Sequence, residues 1–225
     1  PLIGPDSLGF INYQHRCGAT WSLPEQVQTG GVAIVSQSGT VFWEAITNDP
    51  RMRFSFSAHT GLEATLTLAD MTAYALSLPA TKVVGLYVET IRDPQAFEEV
   101  LAEAAHRGIP VVALYAGRTE RARAQMLTHA GRLAGDHSAL EALFRSYGVI
   151  RSVTPDDWWT TLTLLGSDRR LASGGIAAIM DSGGGLAMFH DYAQELGLEV
   201  ATLSASTQER VSSLLGHDSG PSGAV

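Results

Sequence analysis

Apolar, β-branched runs alternate with helical patterns along most of this chain, the arrangement that builds a parallel α/β sheet. Gly31 to Ser36 reads as a buried strand that hands over at Gln37-Ser38-Gly39-Thr40 to a helix reaching about Thr47. Phe54 to Ala58 is a second, weaker strand. A helix over Leu68 to Leu78, a strand over Val83 to Val88, a helix over Pro94 to His106 and a strand over Val111 to Tyr115 follow in regular succession. Arg118 to Gly135 has weak periodicity and reads as a loop around His129. His137 to Tyr147 is helical and stops at Gly148, as a C-cap glycine would stop it. Val149 to Val153 is a short edge strand. Thr154-Pro155-Asp156-Asp157 then opens a helix with a capping hydroxyl, a proline in the first turn and two acids facing the dipole.

Small and polar residues make 169–174 a linker. Beyond it the pattern restarts: a strand over Ile176 to Asp181, a glycine turn, a helix over Leu186 to Leu196, a strand over Leu198 to Leu203 and a helix over Thr207 to Leu215. The Gly/Ser-rich tail after His217 reads as loose. One β-α-β-α unit cannot cover both faces of its own sheet, so 175–225 is expected to be only part of a domain.

Composition narrows the function. With 45% apolar and 17% charged residues the chain is an ordinary globular one, and a net charge of −8 argues against a nucleic-acid surface. It has no Lys/Arg block for an anionic membrane and no apolar run of the roughly 18–20 residues that span a bilayer. Cys17 is the sole cysteine, which rules out an internal disulfide and a cysteine-based zinc site and fits a cytoplasmic location. The amino terminus lacks the basic head and apolar run of a signal peptide. Lys82, the sole lysine, lies outside any glycine-rich loop, so there is no P-loop. No Gly-x-Gly-x-x-Gly fingerprint follows a strand either.

What remains is a cluster of strand ends. Ser36-Gln37-Ser38-Gly39-Thr40 places hydroxyls and a glycine where the first helical N–H groups lack partners, a setting for phosphate or simply for a helix cap. Asp181-Ser182-Gly183-Gly184-Gly185 is a similar turn, but its acid disfavours phosphate. Glu89 ends one strand and Ala116-Gly117 follows another, on the edge where open parallel sheets gather ligands. His129 sits among small residues in Thr128-His129-Ala130-Gly131. A neutral imidazole accepts a phosphoryl group, and a carboxylate on one ring nitrogen leaves the other free to attack. Glu89 is a candidate for that carboxylate, or else a partner for Arg92. His59, after a strand on the same edge, either faces substrate or is a polar loop residue.

In their order along the chain, Gly4-Pro5-Asp6-Ser7-Leu8-Gly9, Ser36-Gln37-Ser38-Gly39, Glu89, Ala116-Gly117-Arg118 and Thr128-His129-Ala130-Gly131 resemble the NDP-forming acyl-CoA synthetases of the succinyl-CoA synthetase-like superfamily. The resemblance runs from about Gly4 to Leu215. It implies an α/β fold: a flavodoxin-like doubly wound parallel sheet over 28–168, preceded at 1–27 by the tail of a CoA-binding domain. The start of a second flavodoxin-like unit would occupy 175–225. It also implies an acid–CoA ligase core, in which His129 carries the phosphoryl group and Glu89 orients it. Ser36, Gln37, Ser38, Gly39 and Gly131 would bind the phosphate, and His59 and Gly117 would lie toward the substrate. CoA and a carboxylic acid are the implied substrates. ATP or GTP with Mg²⁺ would enter through an ATP-grasp domain or subunit, in an oligomer. Asp6 stands where the family commonly has Asn, and Ser57 to Glu63 lacks the usual Gly-Asn, which leaves the acid unspecified. A non-catalytic module of the same fold that binds CoA or acyl-CoA, or that regulates, is the alternative.

Overall fold

A computed structural model describes residues 2–21, 29–48, 51–130, 137–169 and 173–215, without the side chains of 48, 127–130, 137 and 215. The chain divides into two compact units, Pro1–Arg169 and Arg170–Val225.

The first unit is built on seven strands: β1 (Gly9–Asn12), β2 (Cys17–Thr20), β3 (Thr29–Ser36), β4 (Phe54–His59), β5 (Val83–Val88), β6 (Val111–Tyr115) and β7 (Ile150–Arg151). Their order is β2-β1-β4-β3-β5-β6-β7. From β3 to β7 all pairings are parallel. Counted from β3, the order is 2-1-3-4-5, the flavodoxin-like doubly wound arrangement that the resemblance implied, built on the parallel sheet that the sequence pattern predicted.

Because side chains alternate across a strand, each strand feeds two cores. Val32 and Ile34 of β3 pack with Phe42 and Ile46 of α1 (Gly39–Asn48) and with Trp158 and Leu162 of α6 (Pro155–Gly166). Ala33 and Val35 face the opposite layer, α2 (Leu68–Ser77), α3 (Pro94–His106) and α5 (His137–Ser146). Trp158 is fully buried and donates its Nε1–H to the Val112 carbonyl at 3.0 Å, so the largest core side chain leaves no polar atom stranded. Gly85 makes this close seat possible. A Cβ there would lie 2.6 Å from Leu162 Cδ1 and 3.0 Å from Trp158 Cζ2.

Three elements differ from the sequence reading. Residues Arg118 to Gly135 are not a loop throughout, because α4 (Glu120–Ala130) runs through the first part of that segment. Thr119 caps it, its Oγ1 accepting from Ala122 N at 3.1 Å and its carbonyl from Arg123 N at 2.9 Å. Glu120 to Met126 are exposed or half-buried, so the part of the helix whose side chains are described shows no buried stripe for periodicity to reveal. β1 and β2 form an antiparallel hairpin that the pattern left without elements, and β1 pairs antiparallel with β4. Residues Gly9 to Thr20 therefore extend this sheet at its edge.

In the second unit, α7 (Gly183–Glu195) and α8 (Ala205–Leu215) form as helices. The two expected strands are reduced to one parallel bridge, Ile176 with Val200. A lone strand pair has no neighbours to complete its ladder or cover its faces. Ile179, Met188, Tyr192, Leu196 and Leu198 are accordingly exposed. No described helix is long and apolar enough to cross a membrane.

Candidate functional site

The carboxyl ends of β3 and β5 lie side by side, with Ser36 opposite Tyr87. In this strand order that is the topological switch point, where the crevice of an open sheet takes its ligand.

Ser36 is buried, and its hydroxyl closes the turn on itself. Its Oγ accepts from Ser38 N at 3.0 Å and donates to the Ser38 carbonyl at 2.8 Å. Ser38 caps α1: its carbonyl accepts from Phe42 N at 3.0 Å, and its Oγ lies 3.4 Å from Val41 N. No described group accepts from the N–H of Gly39 or of Thr40. The positive end of α1 thus keeps two amide donors unspent, the feature that holds an anion. Thr40 belongs to the turn that the sequence marked, but it contributes its backbone N–H, a donor with no residue signature of its own. Gly39 lacks a Cβ for a packing reason, since one would lie 3.1 Å from Leu8 Cδ1 and 3.3 Å from His59 Cε1.

Gln37, expected to bind phosphate, spends its donors within the protein. Its backbone N donates to the Tyr87 carbonyl at 3.1 Å. Its side-chain Nε2 donates to Glu63 Oε1 at 2.6 Å and to the Thr90 carbonyl at 2.8 Å. Its Oε1 accepts from Glu89 N at 2.6 Å and Thr90 N at 3.0 Å. All four amide positions are used, so the residue ties β3 to the turn after β5.

His59 is also committed to structure. It is buried and stacked on Phe42, with ring centroids 6.3 Å apart. Its Nδ1 accepts from Leu8 N at 2.9 Å, which places the ring proton on Nε2, 3.4 Å from the Gln37 carbonyl. A ring so occupied anchors Leu8 over the sheet edge.

Glu89 follows β5, half-buried, with its N–H held by Gln37. Tyr87, two residues earlier, has its phenol pushed up by burial and further by the Glu89 charge. Gly117 follows β6, buried and with φ +83, a backbone state that favours glycine, and the neighbouring Ala116 N bonds the Val88 carbonyl at 3.1 Å. The ends of β3, β5 and β6 are thereby locked together. The His129 backbone belongs to the last turn of α4, while its side chain and all of Gly131 lie outside the described residues.

One buried acid was not singled out in the sequence. Glu63 is 2% exposed, takes bonds on Oε1 from Gln37 and from Thr60 Oγ1 (2.8 Å), and has no partner for Oε2 among the described residues. Its backbone is left-handed, with φ +54. No periodic signal announces such a residue.

Known proteins match this chain in sequence and fold. The model of the succinyl-CoA ligase-like flavodoxin domain matches residues 29–165. The chain is 29% identical over 218 residues to an ADP-forming acetate–CoA ligase of Methanocaldococcus jannaschii, covering 95% of this chain and 30% of that protein. It is 32% identical over 219 residues to the ADP-forming acetate–CoA ligase II subunit alpha of Pyrococcus furiosus, covering 95% and 46%. A dinucleotide-forming acetyl-coenzyme A synthetase 1 of Ca. Korarchaeum cryptofilum, solved with phosphate and ADP, shares the fold at a TM-score of 0.76 with 23% identity, over 94% of this chain and 46% of that one. The chain therefore spans between 30% and 46% of the length of these relatives. On the family match and these relatives together, the chain belongs to the NDP-forming acyl-CoA synthetase, succinyl-CoA ligase-like family.

Proposed function

We propose that this chain is the phosphoryl-carrying core of an acid–CoA ligase, with His129 as the carrier. The observation that bears most weight is the pair of unspent amides at Gly39 and Thr40, set at the switch point and tied through Gln37 to Glu89. An imidazole nitrogen attacks the phosphorus of an acyl phosphate, the carboxylate departs, and the covalent intermediate divides one hard transfer into two easier ones. Glu89 accepts a hydrogen bond from the other ring nitrogen and so fixes the attacking tautomer. The α1 amides meet the charge as it arrives, and a helix end contributes roughly 0.3–2 kcal/mol to such an anion. The relatives named acetate–CoA ligases support acid, CoA and nucleotide as substrates.

Residues 28–168 form the carrier domain in this reading. Among the described residues no three His, Cys, Asp or Glu side chains group as a metal would need. In this reading Mg²⁺ belongs with ATP or GTP on an ATP-grasp partner, and CoA with a CoA-binding domain. The bare apolar face of residues 175–215 is expected to be covered by the remainder of its own domain.

The test combines the chain with γ-labelled ATP or GTP, Mg²⁺ and an ATP-grasp partner. Label that is lost in acid, survives base and disappears in His129→Ala is the expected result. Label that persists in His129→Ala overturns His129 as the carrier, and a wild-type chain that takes up none favours the non-catalytic module.

A further inference from the structure

The carboxylate at residue 89 is useful only if it is held still. Its own backbone sits past the last paired residue of β5, where an acceptor has to come from outside the strand pairing. Gln37 Oε1 supplies one, drawing the N–H groups of both Glu89 and Thr90 onto a single oxygen. That geometry requires the amide in one orientation. Turned over, its oxygen would face the Thr90 carbonyl and the Glu63 carboxylate, its nitrogen would face two N–H groups, and all four bonds would be lost.

Glu63 anchors the far side of the same amide. Its 2.6 Å bond from Gln37 Nε2 is charge-assisted and short, and Thr60 holds the accepting oxygen from a second direction. The arrangement is unfavourable by itself. A carboxylate is buried, one of its oxygens lacks a protein donor among the described residues, and its backbone occupies the left-handed region. Such costs collect where position matters to function.

We propose that Glu63 is a positioning residue for Glu89, acting through Gln37. The proposal rests on the reading above, in which Glu89 orients His129. Glu63 touches neither substrate nor phosphoryl group. It fixes the amide that fixes the backbone from which the Glu89 side chain departs. The chain of contact is Thr60 and Glu63 to Gln37, then Gln37 to Glu89.

Phosphoramidate tests this without any partner domain. Its P–N bond breaks as the imidazole N–P bond forms, and the departing ammonia takes up a proton. The rate of phosphohistidine formation is followed by ³¹P NMR across a range of phosphoramidate concentrations, with circular dichroism to verify folding. Glu89→Gln and Glu63→Ala are each expected to lower the saturating rate, between about ten- and a hundredfold, with half-saturation little changed. In the double variant the two losses are expected not to multiply, since both act on one carboxylate. Glu63→Gln keeps the accepting oxygen and restores most of the rate. Glu63→Asp withdraws that oxygen by one methylene and gives an intermediate rate, which serves if Glu63→Ala does not fold.

The failures are separable. If Glu89→Gln leaves the rate unchanged, the role of Glu89 is wrong and this inference falls with it. If Glu89→Gln slows the reaction while folded Glu63→Ala or Glu63→Asp does not, the Glu63 inference alone is overturned. Losses that multiply in the double variant overturn it as well, since Glu63 would then act by another route.

Discussion

Replacing Gly39 with proline removes one of the two unspent amides at the head of α1 while leaving the helix intact. Proline suits the first helical position, where its fixed φ matches the helix and the missing N–H breaks no internal bond. The substitution also adds a Cβ, 3.1 Å from Leu8 Cδ1 and 3.3 Å from His59 Cε1. Leu8 can swing its methyl aside, but the His59 ring is held by Leu8 N and by Phe42, so the contact costs about 1 kcal/mol. Gly39→Ala carries the same Cβ and keeps the N–H, so the difference between the two variants isolates the donor. A hydrogen bond to a charged group contributes about 1.5–3 kcal/mol, which converts to a loss of roughly ten- to a hundredfold in affinity. Calorimetric titration with inorganic phosphate reads that loss, and the melting temperatures of the two variants should agree. Equal phosphate affinity in the proline and alanine variants would refute the assignment of this helix end as an anion site.

Two further outcomes follow from the fold. Gly85→Ala drives a methyl into Leu162 and Trp158 and is expected to cost about 1–3 kcal/mol, or roughly 2–4 °C of melting temperature per kcal/mol in a unit of this size. Combining it with Leu162→Ala should recover part of the loss, whereas costs that add to within about 0.5 kcal/mol would show that the methyl does not enter that seat. Tyr13, buried against Ser57, has its phenol pushed up to about 12, by burial more than the hydrogen bond lowers it. The folded state thus keeps a proton that the unfolded chain releases near pH 10. A contribution of about 3 kcal/mol at most is present below pH 10 and fades as pH rises toward 12. Denaturant titrations of wild type and Tyr13→Phe should differ in slope across that window, and parallel curves would contradict the burial.

The elements read most closely from sequence are those whose ends carry local chemistry. Asp93-Pro94 starts α3 where the pattern put it, with Asp93 accepting from Ala96 N at 3.0 Å, and β5 and β6 match their apolar runs. Sequence could not show the β1–β2 hairpin, because its strands are only four residues each and β1 also pairs with β4, more than forty residues away. Nor could it show α4, whose residues Glu120 to Met126 include none that is buried. At the site, residue types marked the place but not the duties. Gln37 and His59 stand where ligand contacts were expected and are spent on holding the turn and the Leu8 segment. Glu63 was invisible for the converse reason: its bonds reach to Gln37, far along the chain, and depend on tertiary pairing that no periodicity encodes.

The carrier role of His129 is most directly tested by locating the phosphoryl group. The chain, charged by labelled nucleotide through an ATP-grasp partner and quenched during turnover, is digested under alkaline conditions and sequenced by mass spectrometry. The account predicts the added phosphoryl on His129 alone, and much less of it in Glu89→Gln at matched early times. A phosphoryl group found on a hydroxyl such as that of Ser38 or Thr128, or on another histidine, with His129 unmodified, would contradict it.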